Sequence, residues 1–370
     1  MSCPKTILFL IPHLGGGGAE RVTANLVHGL AQDRFRVHLG LITQETIASQ
    51  DLPKWVMAHP LGANRVRAAA WPLLRLVWKI RPELIFSNMF HLNFLVLLLR
   101  PFFPRQTRCV IRQNGMTAPE TGTGQFVRKL YRVLYPRAES VVCQSEAMVR
   151  EMSALTGTAR NLRVLPNPVL TCPATFSAGG NGPWRGEGPR LLAVGRLARE
   201  KGFDILLPAF AHVLVEFPAA ELAILGQGPE EACLKALSRA LGIESHVRFA
   251  GYVDRPQEWY AGASVFALSS RHEGLSNAML EAGVAGLPIV AAPALGGVTE
   301  LIRGVSGDAA GTWLASEVSA DALADSLITA LKSLGPGQRF IHSWVDAYRM
   351  ENALPQFVKL IDEVLAGAPA

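Results

Sequence analysis

Two glutamates eight positions apart, Glu273 and Glu281, flank a stretch of this sequence whose residue types suit a charged ligand. The apolar run at 265–268 predicts a buried strand. A polar turn follows, and Ser276 predicts the N-cap of a helix that begins at Asn277. The N–H groups at such a helix start, with the positive end of its dipole, suit a phosphate or diphosphate. A carboxylate further along, at Glu281, can accept two hydrogen bonds from a vicinal diol such as a ribose.

A pair of cations, Arg196 and Lys201, follows the apolar strand predicted at 191–194. The turn between them leads into a helix predicted over 203–217. Two cations at such a turn can hold a diphosphate and offset the negative charge that develops on a leaving group. The alternative interpretation is a pair of solvated surface cations.

Glycine-rich turns follow other predicted strands, where the backbone can come close to a ligand. Four consecutive glycines, the last of them Gly17 and Gly18, follow the first strand and open into a helix. They match neither GxGxxG nor a Walker loop. In the second half, Gly226 follows the strand predicted at 221–225.

Strand and helix patterns alternate along the chain, which predicts an α/β protein with doubly wound parallel sheets. A stretch rich in Gly, Pro, Ser and Thr interrupts the alternation and predicts a linker. Near the C-terminus, Phe340, Trp344 and Tyr348 are spaced as on one helix face. We predict a first Rossmann-like domain at 1–170, a linker at 171–189, a second Rossmann-like domain at 190–337 and a C-terminal helical segment at 338–370.

These motifs resemble the retaining, group-1-type glycosyltransferases with the GT-B fold. The resemblance rests on the Glu-x7-Glu phrase from Glu273 to Glu281, on Gly-Arg-Leu-x-x-Glu-Lys-Gly around Arg196 and Lys201, and on Gly-Gly-Ala-Glu-Arg-Val after the first strand. It implies two Rossmann-like domains that face a central cleft, with the C-terminal segment crossing back to the first. It also implies transfer of a sugar from a nucleotide diphosphate with retained anomeric configuration.

The resemblance assigns roles to individual residues. Glu281 holds the ribose, and Glu273 contacts the sugar ring and supports positive charge on it. The diphosphate is held by Arg196 and Lys201. The remaining donor-binding residues that it implies are Gly17, Gly18, Gly226, Leu275, Ser276, Asn277 and Val253. No covalent nucleophile is evident.

The first half departs from the family pattern at Asn114. In many relatives a His-Gly pair stands where Asn114-Gly115 stands here, near the transferred sugar. An Asn side chain donates and accepts hydrogen bonds but does not titrate, so Asn114 is expected to orient the sugar rather than to shuttle a proton. Two further candidates on the acceptor or sugar side are Arg112, which follows the same strand as Asn114, and His91, which follows the strand predicted at 84–87. A structural role for His91 stays open.

The sequence contains no Asp-x-Asp, no CxxC and no Cys/His cluster. We therefore expect no metal and no cofactor, so that cations and helix N-termini must offset the charge of the diphosphate. The five cysteines are scattered, which favours a reducing cytosol. No apolar run reaches ~18 residues, so no spanning helix is predicted. The first strand begins near residue 6, which does not indicate a secretory signal.

Charge is distributed unevenly between the halves. Residues 1–170 hold 21 Lys and Arg against 9 Asp and Glu, a net charge of +12, whereas residues 171–370 carry −6. The basic, Trp-bearing segment at 65–81 is amphipathic and predicts contact with an anionic membrane; an ordinary surface helix is the alternative. We expect a cytoplasmic protein that is peripheral on the inner face of the cell membrane, and no nucleic-acid partner.

The expected activity is transfer of a sugar, from a UDP-sugar, to a glycan or lipid-diphosphate-linked acceptor in surface polysaccharide or glycoconjugate biosynthesis. Two alternatives stay open: a nucleotide-sugar epimerase on the same fold and a non-catalytic nucleotide-sugar-binding protein. An epimerase needs no membrane contact, so the basic first half speaks against it. The intact set Glu273, Glu281, Arg196 and Lys201 speaks against a silent binding protein.

Overall fold

The computed structural model describes residues 4–14, 17–43, 52–115, 124–170, 183–254, 256–307 and 310–367. The chain divides into two compact units. Unit 1 comprises Met1–Val169 and Met350–Ala370, and unit 2 comprises Leu170–Arg349.

Unit 1 contains a parallel sheet. Its strands are β1 (Lys5–Ile11), β2 (Phe35–Leu41), β3 (Met57–Pro60), β4 (Leu84–Asn88), β5 (Arg108–Arg112), β6 (Ser140–Cys143) and β7 (Leu162–Val164). They lie in the order β3-β2-β1-β4-β5-β6-β7. Alternate residues of β1 enter two separate cores, Leu8 and Leu10 on one face and Ile7 and Phe9 on the other. Both faces are therefore buried, which explains why this strand is apolar from Ile7 to Ile11.

The helices of the first part of unit 1 cover that sheet. They are α1 (Gly18–Gly29), α2 (Ala70–Ile80), α3 (Phe90–Leu99), α4 (Gln125–Leu134) and α5 (Glu146–Thr156). None of the helices in the described ranges is both long and apolar enough to cross a membrane.

Unit 2 repeats the arrangement with its own parallel sheet. Its strands are β8 (Arg190–Val194), β9 (Glu221–Leu225), β10 (Val247–Gly251), β11 (Val265–Leu268), β12 (Ile289–Ala291) and β13 (Thr312–Leu314), in the order β10-β9-β8-β11-β12-β13. Its helices are α6 (Phe203–Glu216), α7 (Glu231–Ala240), α8 (Gln257–Gly262), α9 (Asn277–Val284), α10 (Gly297–Arg303) and α11 (Ala320–Ser333). The predicted α/β class with two doubly wound parallel sheets is confirmed.

The strand order of each sheet reverses at one point. In unit 1 the reversal lies between β1 and β4, and in unit 2 it lies between β8 and β11. At such a point the connections leave toward opposite sides, and a crevice opens outside the carboxyl ends of the two strands. Ligand-binding residues are therefore expected in the loops that follow these four strands.

The C-terminal helix α12 (Met350–Leu365) belongs to unit 1. Its apolar side joins the core that contains Ile7 and Phe9, and its Phe357 ring lies 6.2 Å from that of Phe86. On the surface, Arg34 donates to both carboxylate oxygens of Asp362 at 2.9 Å.

The aromatic residues predicted to share one helix face near the C-terminus do not form an α-helix. Residues Ser343–Tyr348 form a 3₁₀-helix, and Phe340 lies in the preceding loop. The spacing serves packing instead, because Val345 and Trp344 pack against Gly283 and the ring of His342 hydrogen-bonds to the Leu287 carbonyl at 2.7 Å.

Candidate active site

The loops that follow β8 and β11 meet at the switch point of unit 2. Lys201, in the 3₁₀ turn Arg199–Lys201 after β8, donates from Nζ to Glu273 Oε2 at 2.5 Å. The Ser270 hydroxyl donates to the same oxygen at 3.1 Å. Lys201 is 23% exposed and Glu273 is 11% exposed, so the pair is partly shielded from water. An ammonium has three N–H groups, so two remain for a ligand.

The backbone around Glu273 is fixed by the turn that follows β12. Glu273 N–H donates to Leu295 O at 2.9 Å, and Gly297 N–H donates to Gly274 O at 3.1 Å. Gly296 has φ +127°, and a Cβ built on it would lie 2.1 Å from the Glu273 carbonyl oxygen. Only glycine allows this approach.

A second ion pair fastens the two loops together outside the Lys201–Glu273 pair. Arg271 donates to both oxygens of Asp204 at 2.7 Å and to the Arg199 carbonyl at 2.9 Å. The hydrogen bond from Arg271 lowers the pKa of the Asp204 carboxyl. The position of Glu273 is thus determined by contacts on both sides of it in the sequence.

Helix α9 begins as the sequence predicts. Ser276 is its N-cap, and Ser276 Oγ accepts a hydrogen bond from Met279 N–H at 3.3 Å. The other first-turn N–H groups of an α-helix have no intrahelical acceptor, so this end of α9 can bind an anion. Leu275 and Ser276 are buried, and Asn277 is partly exposed.

Glu281 lies on α9 and is held by a residue of α8. The hydroxyl of Tyr260, which is 4% exposed, donates to Glu281 Oε2 at 2.9 Å and lies 3.3 Å from Ala278 O. A carboxylate accepts about four hydrogen bonds, so Glu281 retains capacity for a diol.

Arg196 does not share the pair formed by Lys201. Its side chain is 67% exposed and donates to Glu200 Oε1 at 2.6 Å. Burial raises the pKa of the Glu200 carboxyl, but the Arg196 hydrogen bond and the charges of Arg196 and Lys201 outweigh it and leave that pKa lowered.

The turn at Gly226 packs closely against the loop that carries Arg196. Gly226 has φ +136°, and a Cβ there would lie 1.9 Å from Gly195 O, so the position requires glycine. Its N–H donates to Gly251 O at 2.7 Å. Val253 is partly buried and packs against a core of unit 2.

In unit 1, polar side chains gather at the carboxyl ends of β4, β5 and β7. Arg112, the last residue of β5, is completely buried. Its Nη1 donates to Asn88 Oδ1 at 3.3 Å and to Asn114 Oδ1, and its Nη2 donates to Asn167 Oδ1 at 2.5 Å. Burial lowers the pKa of Arg112 to about 9, so the guanidinium is protonated at pH 7.

The other predicted residues of unit 1 lie at the same edge of its sheet. Gly17 is the N-cap of α1 and Gly18 its first residue; a Cβ on Gly17 would lie 2.3 Å from Glu20 Oε2. His91 is exposed in the first turn of α3, with its ring 3.6 Å from that of Phe90, and partial burial lowers its pKa.

Several residues that directly contact the predicted site residues were not themselves among the predicted ones. They are Tyr260, Ser270, Arg271, Asn88 and Asn167. Asn88 and Asn167 follow strands, which is a signal available in the sequence. The others are recognisable only from the contacts. In the part of the chain that is described, no three His, Cys, Asp or Glu residues form a group that suits a metal ion.

The fold defines a class of protein. The Anabaena protein HepE, solved in complex with UDP-glucose, superimposes on this chain with a TM-score of 0.78 at 20% identity, covering 97% of this chain and 99% of HepE. The chain therefore has the GT-B fold, with two Rossmann-like domains.

The sequence comparisons narrow the class to a family. Residues 188–333 match the family described as "Glycosyl transferases group 1", and residues 16–171 match "Glycosyltransferase Family 4". The chain belongs to the group 1 glycosyltransferases, as the motifs predicted.

Two relatives illustrate the range of similarity. N-acetylgalactosamine-N,N'-diacetylbacillosaminyl-diphospho-undecaprenol 4-alpha-N-acetylgalactosaminyltransferase of Campylobacter jejuni is 28% identical over 312 residues, 78% of this chain and 80% of that protein. The lipopolysaccharide core biosynthesis glycosyltransferase LpsE of Rhizobium meliloti is 31% identical over 156 residues, 42% of this chain and 44% of LpsE. The match to LpsE thus spans less than half of either protein.

Proposed function

We propose that this chain is a retaining glycosyltransferase that moves a sugar from a UDP-sugar to a glycan or lipid-linked acceptor without a metal ion. The observation that carries the proposal is the Lys201–Glu273 pair at the switch point of unit 2, in the loops beside the capped start of α9. A cation and a carboxylate in contact suit a ligand that has an anionic leaving group on one side and a developing cation on the other.

In this proposal the diphosphate lies at the N-terminus of α9, next to the Lys201 ammonium. The bond between the anomeric carbon and the diphosphate oxygen breaks, and its electron pair stays on the diphosphate. The ammonium and the helix dipole stabilise that growing negative charge. The acceptor hydroxyl forms the new bond on the same face of the sugar and passes its proton to the departing phosphate oxygen.

The two glutamates bind different parts of the donor in this proposal. Glu273 uses Oε2 for Lys201 and Ser270, which leaves Oε1 to support positive charge on the sugar ring. Glu281, held by Tyr260, accepts hydrogen bonds from the ribose diol. The exposed Arg196 supplies a second cation for the diphosphate.

The comparisons support the choice of substrates. HepE was solved with UDP-glucose, which favours a UDP-sugar donor here. The Campylobacter relative is named for an undecaprenol-diphosphate-linked acceptor, and LpsE for lipopolysaccharide core biosynthesis. These names support our proposal of a lipid-linked or glycan acceptor in surface polysaccharide synthesis for this chain.

The test is turnover of a panel of UDP- and GDP-sugars with glycan and lipid-diphosphate acceptors, in EDTA, with the product anomer assigned by NMR. Glu273→Gln should lower kcat about 100-fold or more, because it removes a charge used in the transition state. Its Kd for UDP should change less than about threefold. Glu216→Gln is the matched control, since Glu216 pairs with Lys332 at 2.8 Å elsewhere on unit 2.

Different results would contradict different parts of the proposal. An inverted anomer would exclude retention, and activity lost in EDTA and restored by Mg²⁺ would exclude metal independence. Isomerised donor without acceptor would indicate an epimerase. UDP-sugar binding without turnover on any acceptor would indicate a binding protein, and unchanged kcat in Glu273→Gln would remove Glu273 from the mechanism.

The proposal includes a membrane contact through α2. Trp71, Arg75 and Trp78 are spaced i, i+4, i+7, and the two indoles are 67% and 52% exposed. The Trp78 indole N–H donates to Phe102 O at 3.0 Å, which places the 62% exposed Phe102 beside it. Two exposed indoles beside an arginine on one helix face fit a membrane interface, which favours Trp together with Arg.

The membrane contact is tested by vesicle sedimentation. The wild type should bind vesicles with anionic lipid at least about tenfold better than neutral ones, because its first half is strongly basic. A variant with Trp71→Ser and Trp78→Ser should lose most of this binding. Val215→Ser, at a 78% exposed position of unit 2, is the control for loss of an exposed apolar side chain. Equal binding to neutral vesicles would contradict the electrostatic part.

A further inference from the structure

Arg112 carries a buried charge that no carboxylate of the described residues compensates. Its side chain has 0% exposure, and its three partners are the amide oxygens of Asn88, Asn114 and Asn167. Its Nε has no partner in the described part of the chain. Arginine is rarely buried without an ion pair, because desolvating an unpaired charge is unfavourable. The arrangement therefore calls for a reason other than packing.

The guanidinium fixes the amide group of Asn114 in one orientation. Guanidinium N–H groups only donate, so the atom that Arg112 contacts is the oxygen Oδ1. The Gln144 side chain donates to the same oxygen at 3.4 Å. The amide nitrogen of Asn114 is buried and has no hydrogen-bond partner among the described residues. Two donors thus bind the amide oxygen of Asn114, whereas its NH₂ group donates to no described residue.

The surroundings of this amide are those of a ligand site. A Cβ built on the neighbouring Gly115 would meet no atom of the described residues within 4 Å. Asn88, which shares the Arg112 guanidinium, donates to Thr23 Oγ1 at 2.5 Å across the switch point between β1 and β4. Met89, the next residue, has φ +83°, a strained conformation that is commonest at functional sites.

We propose that Arg112 is a positioning residue that holds Asn114 as a pure hydrogen-bond donor toward an oxygen atom of the transferred sugar. The inference rests on the proposed function, in which Asn114 contacts that sugar. The unpartnered NH₂ group binds a hydroxyl or carbonyl oxygen of the ligand, which satisfies the buried donor. Because the amide cannot turn its oxygen outward without losing Arg112 and Gln144, the site selects an oxygen acceptor at this point of the sugar.

The decisive variant is Asn114→Asp, which keeps the shape of the side chain. The new carboxylate compensates Arg112, so the unfolding temperature should rise. Neither carboxylate oxygen can donate, so kcat/KM for sugar transfer should fall about 50-fold or more, with the Kd for UDP changed less than about threefold. Asn64→Asp adds the same charge at an exposed position of unit 1 and should change neither quantity.

A double-mutant cycle tests whether Arg112 acts through Asn114. Arg112→Met and Asn114→Ala should each lower kcat/KM about tenfold or more. The kcat/KM of the double variant should be at most about threefold below that of the less active single variant. Arg108→Met, at the half-exposed start of the same strand, is the matched control and should retain wild-type kcat/KM. Multiplicative effects of Arg112→Met and Asn114→Ala would overturn the positioning role.

Failure of the inference is distinguishable from failure of the proposed function. If the wild type transfers sugar and Asn114→Asp does so equally well, the donor role of Asn114 is wrong while the glycosyltransferase proposal stands. If the unfolding temperature of Asn114→Asp falls, the guanidinium is not uncompensated and the inference is wrong. If the wild type transfers no sugar from any donor, the proposed function is wrong and the inference falls with it.

Discussion

Removing the Tyr260 hydroxyl should weaken nucleotide binding without changing the chemical step. In Tyr260→Phe the ring keeps its packing at 4% exposure, while the lost hydroxyl takes with it the hydrogen bond of 2.9 Å to Glu281 Oε2 and the longer contact of 3.3 Å with Ala278 O. The Glu281 carboxylate then loses the contact that orients it. If Glu281 binds the ribose, the loss should appear in the affinity for UDP.

The magnitude follows from the environment of the bond. A hydrogen bond to a charged group contributes roughly 1.5–3 kcal/mol when it is well shielded. Glu281 is partly exposed, so water replaces part of the contact in the variant, and about 1 kcal/mol is a reasonable loss. This corresponds to a Kd for UDP about fivefold higher. The ribose contact is the same in the ground state and the transition state, so kcat at saturating donor should not change.

The assay is calorimetric titration with UDP, together with kcat at saturating donor. Tyr348→Phe is the control in unit 2, because the Tyr348 hydroxyl has no hydrogen-bond partner among the described residues. In a Glu281→Ala background, Tyr260→Phe should add less than about twofold. A lowered kcat at unchanged UDP affinity, or a full fivefold effect without Glu281, would refute the reasoning.

Two further predictions concern unit 1 stability and the backbone at Glu273. Burial, with the nearby charges of His59 and Arg36, lowers the pKa of His38 from 6.5 to about 4. The unfolded chain therefore binds more protons between these values, and stability should fall by at most about 3 kcal/mol as the pH drops from 6.5 to 4. Urea unfolding of wild type and His38→Gln at both ends of this range checks it; an equal pH dependence in the two would contradict it. Gly296→Ala should lower kcat about tenfold or more, because its Cβ displaces the Glu273 carbonyl. In the same turnover assay Gly304→Ala should leave kcat unchanged, since the added Cβ would meet no described atom within 4 Å.

The secondary structure that the sequence predicts best is the buried part of each sheet. Strands β1, β8 and β11 each contain a continuous apolar run because helices cover both faces, so pattern and structure agree. The edge strand β3 is Met-Ala-His-Pro and has no buried residue, so its sequence has no hydrophobic pattern that would predict a strand. The stretch from Phe340 to Tyr348 misleads because its aromatic spacing reflects packing against α9 and the β12 region rather than a helix face.

The contacts of the candidate site are likewise of two kinds: local ones, which the sequence predicts, and tertiary ones, which it does not. The Ser276 cap is predictable because it is a local interaction, decided within four residues of sequence. The hydroxyl of Tyr260 reaches Glu281 across 21 residues, and Lys201 reaches Glu273 across 72, so these contacts depend on tertiary structure. Arg112 is the extreme case: surface exposure is the ordinary expectation for an arginine, and only the fold shows it to be enclosed.

Helix α12 makes unit 1 a body assembled from two stretches of sequence that are separated by the whole of unit 2. Phe357, Leu360, Ile361 and Val364 complete a core begun by β1 and α1, more than 300 residues earlier. During synthesis one apolar face of the first sheet therefore stays without its α12 cover until unit 2 has been translated and α12 has left the ribosome. Unit 2, continuous in sequence, has no such delay and can close first. The order of maturation is thus the reverse of the order of translation.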